Sequence, residues 1–137
     1  MNRNKGFVIL AIALLAIATV SCSVNFSVST ANIKSAKLSA SETGSPETTV
    51  FSPDDMTVYC IVKLANAPDD TVVKAVWTAV DVEGADANTK IDDAELKSGD
   101  ADLTFDLTNN GPWPVGKYKV DLYLNGKLDR TLEYKVQ

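Results

Sequence analysis

From Phe51 to the C-terminus, the chain is a series of short runs in which apolar and polar residues alternate. The clearest run places Leu103, Phe105 and Leu107 on one face, with polar residues between them. Successive side chains of a β-strand point to opposite faces, so this period of two predicts a strand with one buried face. No stretch of this part has the apolar period of a helix. The pattern therefore predicts an all-β fold.

Turn residues separate these runs and complete the prediction of fold class. Further strands are predicted at 57–64, at 72–82 around Trp77, and in two segments whose inward residues are Tyr118, Val120, Leu122 and Leu124, then Leu132, Tyr134 and Val136. Asn125-Gly126 predicts a tight hairpin between the last two, because both residues tolerate positive φ. The polar, Asp-rich segment 86–100 predicts a loop with one short edge strand. Frequent short strands are typical of a β-sandwich, here a single antiparallel sandwich of about seven strands.

The first residues have the pattern of a secretory signal peptide. Arg3 and Lys5 precede an unbroken apolar run of 12 residues, Phe7–Ala18, and the small Ser21 follows soon after. A charged start, an apolar core of about 7–15 residues and a small residue before the cut are the features of such a signal. A membrane-spanning helix needs about 20 apolar residues. The sequence therefore predicts that residues 1–21 are removed.

The end of this segment, Val20-Ser21-Cys22, resembles a bacterial lipobox, although Thr19 stands where Leu is usual. The resemblance implies that diacylglycerol is attached to the Cys22 thiol and that cleavage follows just before it. Two or more acyl chains anchor a protein stably to a membrane. The resemblance thus implies an extracytoplasmic protein of the bacterial cell envelope, held to the membrane by lipid on Cys22.

Residues 22–50 have the composition of a tether. They open with Ser, Thr, Asn and Ala and contain the break 41–46, which includes Gly44 and Pro46. For 32–39 two alternatives stay open: an edge strand of the folded domain, or part of a disordered stalk. The predicted organisation is therefore a signal peptide over 1–21, a lipid-anchored tether over 22–50 and a sandwich core over 51–137.

Three residues in successive strands resemble an immunoglobulin or fibronectin type III domain. A strand bearing Cys60 is followed by one bearing Trp77, and Tyr118 opens the penultimate strand after a Pro-x-Gly turn. The stretch 111–127 is similar to the end of Ig-like domains in bacterial extracellular proteins. The resemblance implies that Tyr118 forms a tyrosine corner and that Val120 occupies the position of the second core cysteine. Cys60 is then a buried thiol without a disulfide partner.

Composition argues against several classes of function. The chain has no histidine, which removes the usual general base and most zinc sites. Loss of Arg3 and Lys5 with the signal peptide leaves 11 basic and 18 acidic residues, a net charge of −7. That balance argues against nucleic acid as a partner. The Asp doublets lack EF-hand spacing, and no metal or cofactor is predicted.

Two groups of residues are candidates for binding. If Trp77 faces inward, Val76, Val80 and Val82 face outward. The neighbouring strand then directs Lys119, Asp121 and Tyr123 to the same side, and the two strands form a candidate partner surface. The alternative is that the valines belong to the core or are covered by a loop.

Trp113, between two prolines, is a candidate exposed aromatic residue. The alternative is that it caps the end of the sandwich. The sequence favours a non-catalytic, lipid-anchored envelope protein that presents an Ig-like module to an unidentified envelope protein. A small-ligand or carbohydrate-binding domain is second and an enzyme third.

Overall fold

The computed structural model describes residues 30–137, so the predicted signal peptide and Cys22 lie outside the described residues. This part of the chain forms eight strands: β1 (Asn32–Ser39), β2 (Val50–Phe51), β3 (Thr57–Ala65), β4 (Thr71–Val82), β5 (Thr89–Ser98), β6 (Ala101–Thr108), β7 (Gly116–Leu124) and β8 (Lys127–Val136). Over residues 30–137 there is no helix long and apolar enough to cross a membrane.

The strands form two sheets. One has three strands in the order β1-β3-β6, and the other has five in the order β2-β8-β7-β4-β5. The all-β prediction is confirmed, with eight strands rather than about seven. The pairing is antiparallel except between β2 and β8, which run parallel. The sequence did not predict β2, because a strand of two residues is too short to show alternation.

The inward side chains of both sheets form one hydrophobic core. Alternation in β3 buries Val58, Cys60 and Val62 completely, and β6 buries its three apolar residues in the same way. On the other sheet, the fully or nearly fully buried residues are Phe51, Val73, Ala75, Trp77, Tyr118, Val120, Leu122 and Val136. The arrangement is sandwich-like because each sheet covers the apolar face of the other.

Strand β1 belongs to this core, so the fold begins before the boundary expected at Phe51. It lies at one edge of the three-stranded sheet and buries Ile33 and Leu38. Nη2 of Arg130, on β8, donates a hydrogen bond of 2.6 Å to the Ile33 carbonyl oxygen. The bond joins the two sheets at a bulge of β1. Small polar residues on its outward positions gave this segment the composition of a tether.

Strand β5 replaces most of the loop that was predicted over 86–100. It has ten residues, nine of which pair with β4, at the edge of the five-stranded sheet. Almost all its side chains are exposed or half-buried on both faces. A strand that buries neither face carries no apolar alternation, and this is why the sequence indicated a loop.

A bulge in β4 corrects the predicted orientation of Val82. The β4–β7 register shifts between Ala79 and Asp81, which returns Val82 to the inward face, where it is buried. Gly116, opposite Val82, has φ of +150° and lies against the β4 backbone. Strict alternation from Trp77 could not predict a residue inserted by a bulge.

Candidate interaction surface

The outward face of the five-stranded sheet carries most of the predicted partner surface. Val76 lies directly opposite Asp121, and Lys119 and Tyr123 occupy the neighbouring outward positions of β7. All four are half-buried, and Lys74 lies opposite Tyr123. Residues opposite one another in register point to the same face. The structure therefore brings these four predicted residues together.

Charged contacts interrupt this surface. Nζ of Lys119 lies 3.4 Å from Oδ2 of Asp121, and Oγ1 of Thr131 donates a hydrogen bond of 2.5 Å to Oδ1 of the same carboxylate. The Asp121 side chain is only 13% exposed, so it is held in a fixed position. Val76 lies between Asp121 and Asp93 in register. The surface is therefore mixed rather than an apolar strip.

Charges at the β5 side of this surface are also paired. Lys90 forms an ion pair with Asp93 three residues along the strand. The hydrogen bond from Lys90 lowers the pKa of the Asp93 carboxyl, and the positive charges of Lys90 and Lys74 act in the same direction. Such paired charges are typical of a solvated face.

Val80 lies apart from Val76, because it occupies the β4 bulge. It lines an open groove of about 480 Å³, together with residues of β2, β7 and β8. Two lysines, Lys117 and Lys135, lie opposite each other in register in the groove wall. The structure thus separates the three predicted valines, with Val76 on the sheet face, Val80 in this groove and Val82 in the core.

Trp113 is buried, so it is not an exposed aromatic residue, and of the two alternatives the structure supports the one in which it caps the end of the sandwich. Only 6% of it is exposed. Its backbone N–H donates to the Pro53 carbonyl at 3.0 Å, and its Nε1 donates to the Met56 carbonyl at 3.2 Å. Its ring makes an edge contact with Tyr118. Flanking prolines fix the backbone, and the buried ring closes one end of the core.

Tyr118 and Tyr134 form a stacked pair inside the core, with ring centroids 5.2 Å apart. The Tyr118 hydroxyl donates to the Pro114 carbonyl at 2.5 Å, as expected for a tyrosine corner. The Tyr134 hydroxyl is buried and has no hydrogen-bond partner within residues 30–137. Burial raises the pKa of both phenols. Two tyrosines in contact thus differ in whether the hydroxyl is satisfied.

This difference predicts opposite effects of removing the two hydroxyls. Tyr118→Phe should lower the free energy of unfolding by about 1–2 kcal/mol, because it leaves the Pro114 carbonyl without its donor. Tyr134→Phe should leave stability unchanged or raise it by up to about 1 kcal/mol, because it removes an unpaired buried hydroxyl. Urea unfolding of both variants measures the contrast. A larger loss for Tyr134→Phe would contradict it.

Cys60 is a free, fully buried thiol. Burial raises the pKa of the thiol from 9.0 to about 12, so it stays protonated in the folded protein at neutral pH. A thiolate is the nucleophilic form of cysteine, and this thiol is therefore inert. The prediction that Cys60 behaves as a buried hydrophobe is confirmed.

The raised pKa predicts loss of stability in alkali. The unfolded chain releases the Cys60 proton from about pH 9 and the folded chain only near pH 12, so the free energy of unfolding should fall as pH rises through this range. Cys60→Ala should move the start of the fall to about pH 10, where tyrosines of the unfolded chain ionise. Urea unfolding between pH 7 and 11 measures this start, and an unchanged onset would contradict the assignment.

Two carboxylates in the acidic loops hold turns. Oδ2 of Asp55 accepts from the Ser52 N–H at 2.8 Å, and Oδ1 of Asp100 accepts from the Ala67 N–H at 2.7 Å. Across residues 30–137, no group of three His, Cys, Asp or Glu side chains is arranged to hold a metal ion. Asp55 and Asp100 thus have a structural role in these turns.

One surface was not predicted from the sequence. On β5, Asp92, Ala94 and Leu96 point toward the core side of the sheet but remain exposed. The only sequence signal was the small and apolar pair Ala94 and Leu96 within an otherwise charged segment.

No protein-family model and no curated protein matches the chain. Among solved structures it is similar to the alkylpurine DNA glycosylase AlkC of Pseudomonas fluorescens, bound to DNA containing an abasic site analogue. The identity is 17% and the TM-score 0.48, over 78% of this chain and 30% of that one.

It is also similar to a mutant β-glucosidase from Listeria innocua in complex with laminaribiose. Here the identity is 17% and the TM-score 0.45, over 82% of this chain and 17% of that one. The chain therefore spans less than a third of either protein. Likenesses this weak carry no argument about its fold or its function.

Proposed function

We propose that this protein is a non-catalytic, lipid-anchored module of the bacterial cell envelope with an Ig-like sandwich. The observation that carries the Ig-like assignment is the tyrosine corner, in which the Tyr118 hydroxyl bonds to the Pro114 carbonyl. Val120 follows two residues later, fully buried and opposite Trp77 on β4. Cys60, on the other sheet, is buried in the same core. These positions match the central framework of Ig domains without its disulfide.

The position of Thr30 supports a specific orientation of the domain relative to the membrane. Oγ1 of Thr30 donates to the Asn66 carbonyl at 2.7 Å, so the described chain starts at the turn between β3 and β4. The eight residues 22–29 span at most about 28 Å when fully extended. This end, which carries exposed Asp69 and Asp70, therefore lies near the membrane when Cys22 is lipidated. Acidic residues do not attract anionic lipid, so the lipid itself supplies the membrane contact.

The partner surface is the outward face of the five-stranded sheet around Val76, Asp121 and Tyr123. A half-buried aromatic side chain beside a fixed carboxylate supplies both apolar contact and a hydrogen-bond acceptor. The absence of histidine from the sequence supports a role in binding rather than in acid–base catalysis. The carbohydrate-binding alternative depended on Trp113, which is enclosed in the core.

Mass spectrometry of the protein from its native membrane tests the anchor. We expect a mature chain that begins at Cys22 and carries covalent diacylglycerol, in the membrane fraction. A Cys22→Ser variant should lack the lipid, while a Ser23→Ala variant should keep it. Recovery of wild-type protein with an intact Met1 would refute the lipid anchor.

Pull-down from envelope extract tests the partner surface. Tyr123→Ala should reduce recovery of bound envelope protein at least about tenfold, as expected for an aromatic residue central to an interface. Tyr59→Ala is the matched control, because Tyr59 is half-buried on β3 of the other sheet. Equal recovery by Tyr123→Ala and wild type would exclude this face.

A further inference from the structure

Strand β5 has an inward side that the three-stranded sheet does not cover. Ala94 and Leu96 lie opposite Ala75 and Val73 of β4, which are completely buried. Register partners point to the same face, yet Leu96 is 38% exposed and Ala94 is exposed as well. The core side of the five-stranded sheet is thus open along its β5 edge.

The reason is the width of the three-stranded sheet, which ends at β6. Strand β6 pairs with β3 on one side, and no other strand of residues 30–137 pairs with its second side. The two residues Gly99 and Asp100 connect β5 to β6, so the uncovered side of β5 and the free edge of β6 are neighbours at this end. An unpaired edge presents a row of N–H and C=O groups.

We propose that β6 accepts an extended strand from a partner polypeptide. The added strand would pair with β6 through backbone hydrogen bonds and become the fourth strand of that sheet. Its inward side chains would cover Ala94 and Leu96 of β5. This mode of recognition takes affinity from the backbone and specificity from alternate side chains. The proposal does not depend on the lipid anchor.

The side chains of β6 define the chemistry of this partner. Its inward residues Leu103, Phe105 and Leu107 are buried in the core, so every second residue of an added strand would lie beside the core and over the exposed Ala94 and Leu96 of β5. Its outward residues include Asp102, which is already paired with Lys63 of β3 at 3.2 Å, and Asp106, which forms no ion pair within residues 30–137. A facing strand places its other residues beside the Asp106 carboxylate. The complementary partner is a segment in which apolar and basic residues alternate. A second copy would bring a net charge of −5 to the same edge.

A peptide of alternating valine and lysine, seven residues long and blocked at both termini, is the probe. Added to the full chain, it should protect backbone amides of Ala101–Thr108 from hydrogen exchange. A peptide of the same composition with its valines and lysines in two blocks should not protect them. Asp106→Lys should weaken binding of the alternating peptide, because it replaces an attractive charge by a repulsive one.

Leu96→Asp provides the decisive variant, with Leu128→Asp as its matched control. Both leucines are exposed, so neither change should unfold the domain, but only Leu96 lies on the side that the peptide would cover. We expect at least about tenfold weaker binding for Leu96→Asp and a change within about twofold for Leu128→Asp. Equal binding by both variants, protection of another strand, or pairing of β6 with a second copy would each overturn the proposal.

Discussion

Gly116→Ala should be among the most destabilising single substitutions in the described domain, lowering the free energy of unfolding by about 3 kcal/mol or more. The residue has φ of +150°, which L side chains rarely adopt. A Cβ placed there would meet the Asp81 carbonyl oxygen, and would lie 2.5 Å from Cα and 2.8 Å from Cγ1 of Val82. The first two contacts are with backbone of the β4 bulge, so a side-chain rotation cannot relieve them.

Substitutions at two other glycines distinguish the cost of the positive φ from the cost of the steric clash. Gly126 has φ of +86° but no atom within 4 Å of the added Cβ, so Gly126→Ala should cost only about 1 kcal/mol. Gly111 is open as well and lacks a positive φ, and Gly111→Ala should be nearly neutral. Denaturant unfolding of the three variants measures this order. A loss at Gly116 no larger than at Gly126 would mean that β4 yields to the added methyl group.

Val120→Cys should stabilise the oxidised protein by about 4 kcal/mol through a new disulfide with Cys60. Both residues are fully buried, one on each sheet. In the proposed Ig-like framework they occupy the two positions that a disulfide joins in antibody-type domains. A bridge that closes a loop of about 60 residues removes about this much chain entropy from the unfolded state. Unfolding in urea with and without reductant measures the gain.

Thiol counting provides the independent check on this bridge. After mild oxidation and unfolding, Val120→Cys should show one free thiol fewer than wild type if the bridge forms. If no bridge forms, it should show one free thiol more than wild type. Leu122→Cys is the control, because Leu122 is equally buried on the same face of β7 but two residues further along. It should retain both thiols. A bridge at Leu122 instead of Val120 would show that the two sheets align differently from an Ig framework.

Much of the core followed from alternation alone. The inward residues of β6 and β7 were predicted correctly because each strand has one side covered by the core and one side turned toward solvent, and this contrast is written in the sequence. The hairpin at Asn125-Gly126 was predicted for a local reason, since both residues adopt positive φ. The hydrogen bond from the Tyr118 hydroxyl to the Pro114 carbonyl was expected from the resemblance to Ig domains.

The candidate surface was predicted less completely. Val76, Lys119, Asp121 and Tyr123 lie together as expected, but Val80 occupies the bulge and Val82 the core. The carboxylate of Asp121 is held by Lys119 and by Thr131, ten residues away on β8. Contacts of this kind depend on strand register, which a single strand does not encode.

The sequence by itself determined that this chain forms short strands, and which side chains of the half-buried strands face the core. Only the tertiary structure decided that β5 is a full strand, that Trp113 is enclosed and that one side of β5 stays uncovered. The physical reason is that local alternation records whether a face is covered, whereas the covering groups come from distant parts of the chain. The three-stranded sheet ends at β6, and no local pattern in the sequence marks that the neighbouring side of β5 is left uncovered.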